Sequence, residues 1–394
     1  MTESNQVSDM LFATPELEEP ELEVLARIDD FRKQLRHQLY EPRRWFGSLR
    51  RLSLARVIQG SNSIEGFDAA LDDVAAVAMG EEPLDTSEET QSALRGYRDA
   101  MTYVLQLADE EDFEYSKRLF KSLHFLMTSY HLSSRPGLWR LGEVYVRRDD
   151  TEEVVYEGAD VDLVPGLMEM LADSLNQDDG TPPLVRAGMA HLNLVMIHPY
   201  KDGNGRMARC LQSLVLAREG VPLSPAFLSI EEYLGRNTQA YYDVLAAVGG
   251  GQWQPHGDAR KWMRFVLTAH LHQARTMVQR IHESEDLWTR LEAMVEKHGL
   301  IDRCLIAMFD AAVGLRVRNA TYRAAFEEMG EDIPETTATR DLRKMVEAGL
   351  LIAHGEKRGR YYIAAESLRE ARADVLENRD PEMFLDPFAD CLGS

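Results

Sequence analysis

Cysteine is scarce in this chain. Only Cys210, Cys304 and Cys391 occur among 394 residues, too few and too far apart for a disulfide framework or a thiolate zinc site, and suited to a reducing compartment. The opening segment MTESNQVSDMLFATPELEEPELE has neither the basic region nor the apolar run of a secretory signal. A cytoplasmic location is therefore expected. A mean hydropathy of -0.34 argues against a membrane partner. Positive charge is also short, with 44 Lys and Arg against 66 Asp and Glu and a net charge of -22. That balance disfavours non-specific polyanion binding by the molecule as a whole and leaves only a local basic face open. No internal repeat or low-complexity tract stands out.

What is present is ordinary globular material, 44% hydrophobic, on a chain long enough for more than one core. Residues 1–22 are acidic and aperiodic and are predicted to be a mobile tail. Helical spacing dominates from 23 to about 275, as in Leu119, Leu123, Leu126 and Met127, or Trp262, Phe265, Val266 and Ala269. The β-prone runs Glu143–Val146 and Glu153–Tyr156 interrupt it and predict a hairpin around a polar turn. Residues 276–366 change character, with three short helical segments and two strand-like halves split by His354–Gly359. Residues 367–394 form a polar tail to which no function is assigned.

The chemistry concentrates in His198–Arg209, HPYKDGNGRMAR. Gly203-Asn204-Gly205 lies between an apolar helix and a second helical run, so its backbone N–H groups can face an anion at a helix N-terminus. Arg206 and Arg209, three apart, can reach the same anion. Asp202 offers a hard oxygen suited to Mg2+, and His198 is the obvious proton acceptor. No strand precedes the motif and the glycine spacing is wrong for a P-loop or a dinucleotide fingerprint. The residues imply a nucleotide site for phosphoryl-centred transfer.

This segment resembles the signature of the Fic family, HPFx(D/E)GNGRxxR, with Tyr200 in place of Phe as the one departure. The resemblance implies a mainly α Fic fold with a β-hairpin flap near 143–157, and a core over 116–275. It implies transfer of AMP from ATP to a Ser, Thr or Tyr hydroxyl of a target protein. His198 would deprotonate the hydroxyl and Asp202 would hold Mg2+. Gly203, Asn204 and Gly205 would cradle phosphate oxygens, and Arg206 and Arg209 would bind the β- and γ-phosphates. Tyr241 and Tyr242 resemble a Tyr pair lining the nucleotide pocket of some members, although Gly249 stands where those members carry Asn. Ser61, Glu65 and Gly66, at the end of a helical run within 23–115, match the family's inhibitory motif (S/T)xxxE(G/N) placed N-terminal to the core. A carboxylate there would occupy the Arg209 fork, or position water for removing AMP in a bifunctional enzyme. The family also implies a homodimer.

The segment from Thr336 to Ile363 resembles a winged helix-turn-helix within 276–366. Between Glu335 and Tyr362 six basic residues, Arg340, Arg343, Lys344, Lys357, Arg358 and Arg360, stand against four acidic ones. A helix offering Thr and Arg side chains with a basic wing could meet DNA phosphates and the major groove, and a protein-docking or dimerising module stands beside it as the alternative. The rival for the whole chain is a DNA-binding regulator whose core only senses nucleotide.

Overall fold

The computed structural model describes residues 10–40, 43–147, 153–218, 225–356, 359–377, 379 and 385–389. Its first helices are α1 (Glu19–Tyr40), α2 (Phe46–Ser63), α3 (Leu71–Ala78), α4 (Glu88–Leu107) and α5 (Lys117–Thr128). The short strands β1 (Tyr145–Arg147) and β2 (Val154–Glu157) follow, and then α6 (Val164–Asn176), α7 (Pro183–Ile197) and α8 (Asn204–Arg218). After α9 (Pro225–Leu228), α10 (Glu231–Arg236) and α11 (Thr238–Gly249) comes the 39-residue α12 (Arg260–His298). The chain closes with α13 (Cys304–Ala312), α14 (Asn319–Glu327), α15 (Glu335–Glu347), strands β3 (Leu351–His354) and β4 (Tyr361–Ala364), and α16 (Glu366–Leu376).

The pair α7 and α8 forms the centre. Both helices are buried on nearly every face, which is why their apolar residues show little one-sided periodicity. Proline opens α7, where its missing N–H is harmless, and the six residues 198–203 join the two helices. Around them α4, α5, α6 and α12 pack apolar stripes that include Leu123, Met127, Trp262 and Val266, all fully buried.

Helix α2 docks on α10 by backbone contact. A Cβ at Gly60 would overlap the carbonyl of Glu231, and one at Gly235 would come within 2.8 Å of the Gly60 Cα. The end of α2 is a Schellman cap: the Phe67 N–H donates to the Asn62 carbonyl (3.0 Å) and the Gly66 N–H to that of Ser63 (3.1 Å), with Gly66 at φ +81°.

The C-terminal elements form a small helical group with a β-hairpin. Leu351 pairs with Ala364 and His354 with Tyr361, and Val317 adds a bridge to Tyr362. On α15, Ala338, Asp341, Leu342 and Met345 face inward.

Three expectations change. Within the acidic segment Phe12 is packed, buried against the Trp253 ring (centroids 5.5 Å apart) with its N–H donating to Asn193 Oδ1 at 2.8 Å. The boundary expected at 275 falls inside the continuous helix α12, and one buried apolar core extends from the α7–α8 pair into the C-terminal elements. Part of the final tail is helix α16, anchored by buried Leu368 and Val375. The hairpin forms as predicted, shifted by a residue or two, with Tyr145 opposite Glu157 and Val146 opposite Tyr156; its turn, residues 148–152, lies outside the described residues.

Candidate active site

His198 caps α7 in the left-handed conformation, φ 53° and ψ 57°, unusual for a residue with a Cβ. Its Nδ1 lies 3.2 Å from the Val195 carbonyl. An oxygen there requires Nδ1 to carry the proton, which leaves Nε2 as the basic nitrogen. Burial, with Arg140 nearby, pulls the imidazole down to about 4, so it is neutral near pH 7.

The six-residue joint is held by its own side chains and by a histidine from elsewhere. Asn204 Oδ1 accepts from the Tyr200 N–H and its Nδ2 donates to the Tyr200 carbonyl, both at 2.9 Å. The Asn204 side chain is thereby occupied, and what it offers an anion is its backbone N–H. Gly203 needs its freedom at φ +76°. The carbonyl of Asp202 accepts from His124 Nε2 (2.9 Å), whose Nδ1 accepts from the Gly137 N–H (2.9 Å) while the ring stacks on Tyr200 at 3.6 Å. Burial holds His124 at about 4.

Asp202 itself is half-exposed. Its Oδ1 accepts from the Gly203 N–H at 2.7 Å, and Oδ2 makes only long contacts, 3.5 Å to Ser134 Oγ and 3.7 Å to Arg206. Arg206 is buried, donates to the Tyr130 hydroxyl (3.1 Å) and lies over the Phe67 ring at 5.3 Å.

Arg209 is buried too. Its Nε donates to Ser61 Oγ and its Nη2 to the Ser61 carbonyl, both at 2.9 Å, and Nη2 reaches Glu65 Oε1 at 2.6 Å. Burial alone would lower its pKa, but the adjacent carboxylate outweighs it and raises it. Glu65 also sits against the start of α8, since a Cβ at Gly205 would lie 2.5 Å from Glu65 Oε1. Two buried donors, Arg206 Nε and Arg209 Nη1, have no hydrogen-bond partner. They are what an incoming anion would satisfy.

Residues 114–216 match the family model described as Fic/DOC family. The chain carries a Fic domain. "Protein adenylyltransferase fic-1" of Caenorhabditis briggsae is 36% identical over 118 residues, 28% of this chain and 21% of that protein. "Protein adenylyltransferase Fic" of Culex quinquefasciatus is 29% identical over 187 residues, 46% of this chain and 32% of that protein. The chain thus spans about a fifth to a third of these curated relatives. A solved Fic family protein from Desulfovibrio desulfuricans G20 aligns over 90% of this chain and 98% of its own, with a TM-score of 0.56 and 24% identity, a likeness of fold.

Of the residues singled out in the sequence, the Fic domain brings His198, Asp202, Gly203, Asn204, Gly205, Arg206 and Arg209 together, and Ser61 of α2 and Glu65 of the turn that ends it join them from outside that domain. The tyrosine pair divides. Tyr241 is buried behind Arg209, its hydroxyl 2.9 Å from His191 Nε2, and that ring's Nδ1 is 2.6 Å from Gln212 Oε1. Tyr242 is half-exposed and its hydroxyl donates to the Ile64 carbonyl at 3.0 Å, so it touches the segment that carries Glu65. Gly249 is confined, with a Cβ there 3.0 Å from the Tyr156 ring.

Arg340, Arg343, Lys344 and Arg360 are exposed in the C-terminal elements, with Arg343 paired to Glu347 at 3.3 Å. Lys357 and Arg358 lie outside the described residues. Sequence reasoning missed His124, Arg140 and Phe67. Phe67 alone had a local signal, as the apolar residue following Gly66 in a Schellman cap.

Proposed function

We propose that this chain is a self-inhibited protein adenylyltransferase that moves AMP from ATP to a hydroxyl side chain of a target protein, itself included. The observation that carries the reading is the Glu65–Arg209 pair at 2.6 Å, pressed against Gly205. One carboxylate takes Nη2 of Arg209 and lies against the helix start that a terminal phosphate would use.

The chemistry follows from the neighbours. Nε2 of His198 accepts the hydroxyl proton; the oxygen forms a bond to the α-phosphorus while the bond from that phosphorus to the bridging oxygen breaks, and pyrophosphate leaves. Arg206 and Arg209 hold the β- and γ-phosphates, and backbone N–H groups at the start of α8 meet phosphate oxygens. These groups position the reactants and offset charge, which is most of what such a displacement needs. Among the described residues no cluster of three or more His, Cys, Asp or Glu could hold a metal. The donor set fits Mg2+ held by one carboxylate plus phosphates: Asp202 would hold it, and the ion would supply charge neutralisation at those phosphates. The outer edge of β1 is the place where an extended target segment would add to the hairpin.

In the same reading the C-terminal elements are a winged helix. Its exposed Arg340, Arg343, Lys344 and Arg360 favour DNA, for which salt-dependent retardation of a DNA fragment is the readout. The homodimer and the cytoplasmic location rest on the sequence resemblance and on composition. Among the described residues no helix is long and apolar enough to cross a membrane.

The test is AMP transfer from labelled ATP with Mg2+. Glu65→Gly raises incorporation into the protein and into lysate targets at least about tenfold, and adding His198→Ala abolishes it. Equal incorporation by Glu65→Gly and the unaltered protein excludes the brake.

A further inference from the structure

Arg140 is the other buried arginine of the Fic domain, and no step above uses it. It stands just before the hairpin, nearly inaccessible, and its guanidinium donates to three carbonyls. Nε reaches the His198 carbonyl at 2.8 Å, Nη1 that of Gly142 at 2.8 Å, and Nη2 that of Ala159. Its own N–H donates to the Pro199 carbonyl at 3.0 Å. Gly142 precedes β1 and Ala159 follows β2, so one planar group ties both roots of the flap to the backbone of the proposed general base.

We propose that Arg140 is a positioning residue that holds His198 in its left-handed conformation and in fixed register with the flap. The inference rests on the adenylyltransferase reading for its kinetic part. The physical argument is independent of it. A non-glycine residue in the left-handed region costs about 1 kcal/mol and persists where its surroundings over-determine it. Here the carbonyl that this conformation turns outward meets a charged donor, and charge-assisted bonds are the stronger kind. The second constraint is steric: a Cβ at Gly158 would lie 3.1 Å from His198 Cβ and 2.8 Å from Val144 Cγ1, so no room for a side chain is left between the flap root and the histidine. A hydroxyl presented by a strand on this flap then meets Nε2 at a distance set by Arg140.

The phosphate groups are bound elsewhere, by Arg206, Arg209 and the α8 start. Loss of Arg140 should therefore lower kcat and leave nucleotide affinity alone. It should also change how His198 titrates. Arg140 from the pre-flap loop opposes protonation of the imidazole, while Glu65 after α2 and Asp202 in the joint favour it, and burial among these elements sets the baseline.

The experiment compares Glu65→Gly with Glu65→Gly/Arg140→Gln and Glu65→Gly/Arg140→Lys. AMP incorporation is read against pH, the Kd for ATP is measured directly, and the His198 imidazole is titrated by nitrogen NMR. Arg140→Gln is expected to lose about 100-fold in kcat with Kd within about twofold, and its acid limb lies above that of the Glu65→Gly parent, because one group that opposes protonation of the imidazole is gone while burial still does so. Arg140→Lys keeps the charge, so it keeps the limb while recovering only part of kcat.

Unchanged kcat and an unmoved His198 titration in Arg140→Gln would overturn the proposal. If Glu65→Gly transfers no AMP at all, the functional reading fails, and the NMR titration still decides the role of Arg140. Should Arg140→Gln fail to fold, Gly158→Ala substitutes for it: loss of kcat at constant Kd supports the coupling of flap and histidine, and unchanged kcat refutes it.

Discussion

At the scale of single residues the site runs on buried histidines kept neutral. His124 at about 4 and His191 at about 3 are both fully buried, and burial is the first cause in each. Their pKa is lower in the folded than in the unfolded chain, where it is near 6.5. The unfolded chain thus binds more protons between about 4 and 6.5, and stability falls as pH falls through that window. Each histidine should remove about 1 kcal/mol between pH 7.5 and 5.5. Urea denaturation at the two pH values measures this, and a midpoint that does not move would contradict it. His124→Gln, which can still donate to the Asp202 carbonyl, should flatten part of the dependence. The same scale separates the motif's letters: Asn204 acts through its side chain on Tyr200, whereas Gly205 acts by leaving room for Glu65.

The element that matters most is α2. It is placed by the absence of a side chain at Gly60, which lets its backbone lie on α10, and it is ended by Gly66 so that Glu65 meets Arg209 and Phe67 covers Arg206. Gly60→Ala must push α2 away from the Glu231 carbonyl. The expected cost is about 1–3 kcal/mol, typical of overpacking, and AMP incorporation should rise above that of the unaltered protein because Glu65 moves with the helix. Thermal unfolding and labelled-ATP transfer report the two effects. A variant with both values unchanged would mean that α2 is not held at Gly60. Helix α2 itself was legible in the sequence, and so was its stop. Its partner α10 was not, because Gly60 and Gly235 are 175 positions apart and glycine carries no pattern of its own.

Across the whole molecule α2 is also the link to the C-terminal elements. Arg51 pairs with Asp310 at 3.1 Å and with Glu328 at 3.3 Å, and Arg316 pairs with Asp73 of α3 at 2.6 Å. Arg51 and Asp310 are largely buried, so removing one partner leaves the other charge poorly solvated. A double-mutant cycle with Arg51→Met and Asp310→Leu should give a coupling of about 1–3 kcal/mol, the double variant being more stable than the two single losses add up to. Additive losses would mean the pair is only a surface contact. These long-range pairs, and the uninterrupted α12, join what the sequence suggested were separate units.

The sequence by itself determined the chemical groups. The twelve residues from His198 carry a base, a carboxylate, a helix start and two guanidinium groups within one turn and one joint, and such a local cluster survives any packing that keeps α7 and α8 side by side. It also supplied the (S/T)xxxE(G/N) spacing of Ser61, Glu65 and Gly66. The tertiary structure decided which groups those residues meet. That Ser61 and Glu65 fall on Arg209, 148 and 144 positions away, that Arg140 grips the His198 carbonyl from 58 positions away, and that Tyr241 turns inward to His191, are outcomes of how helices pack. Helix packing is fixed by shape and buried area over the whole core, quantities that no short stretch of sequence contains.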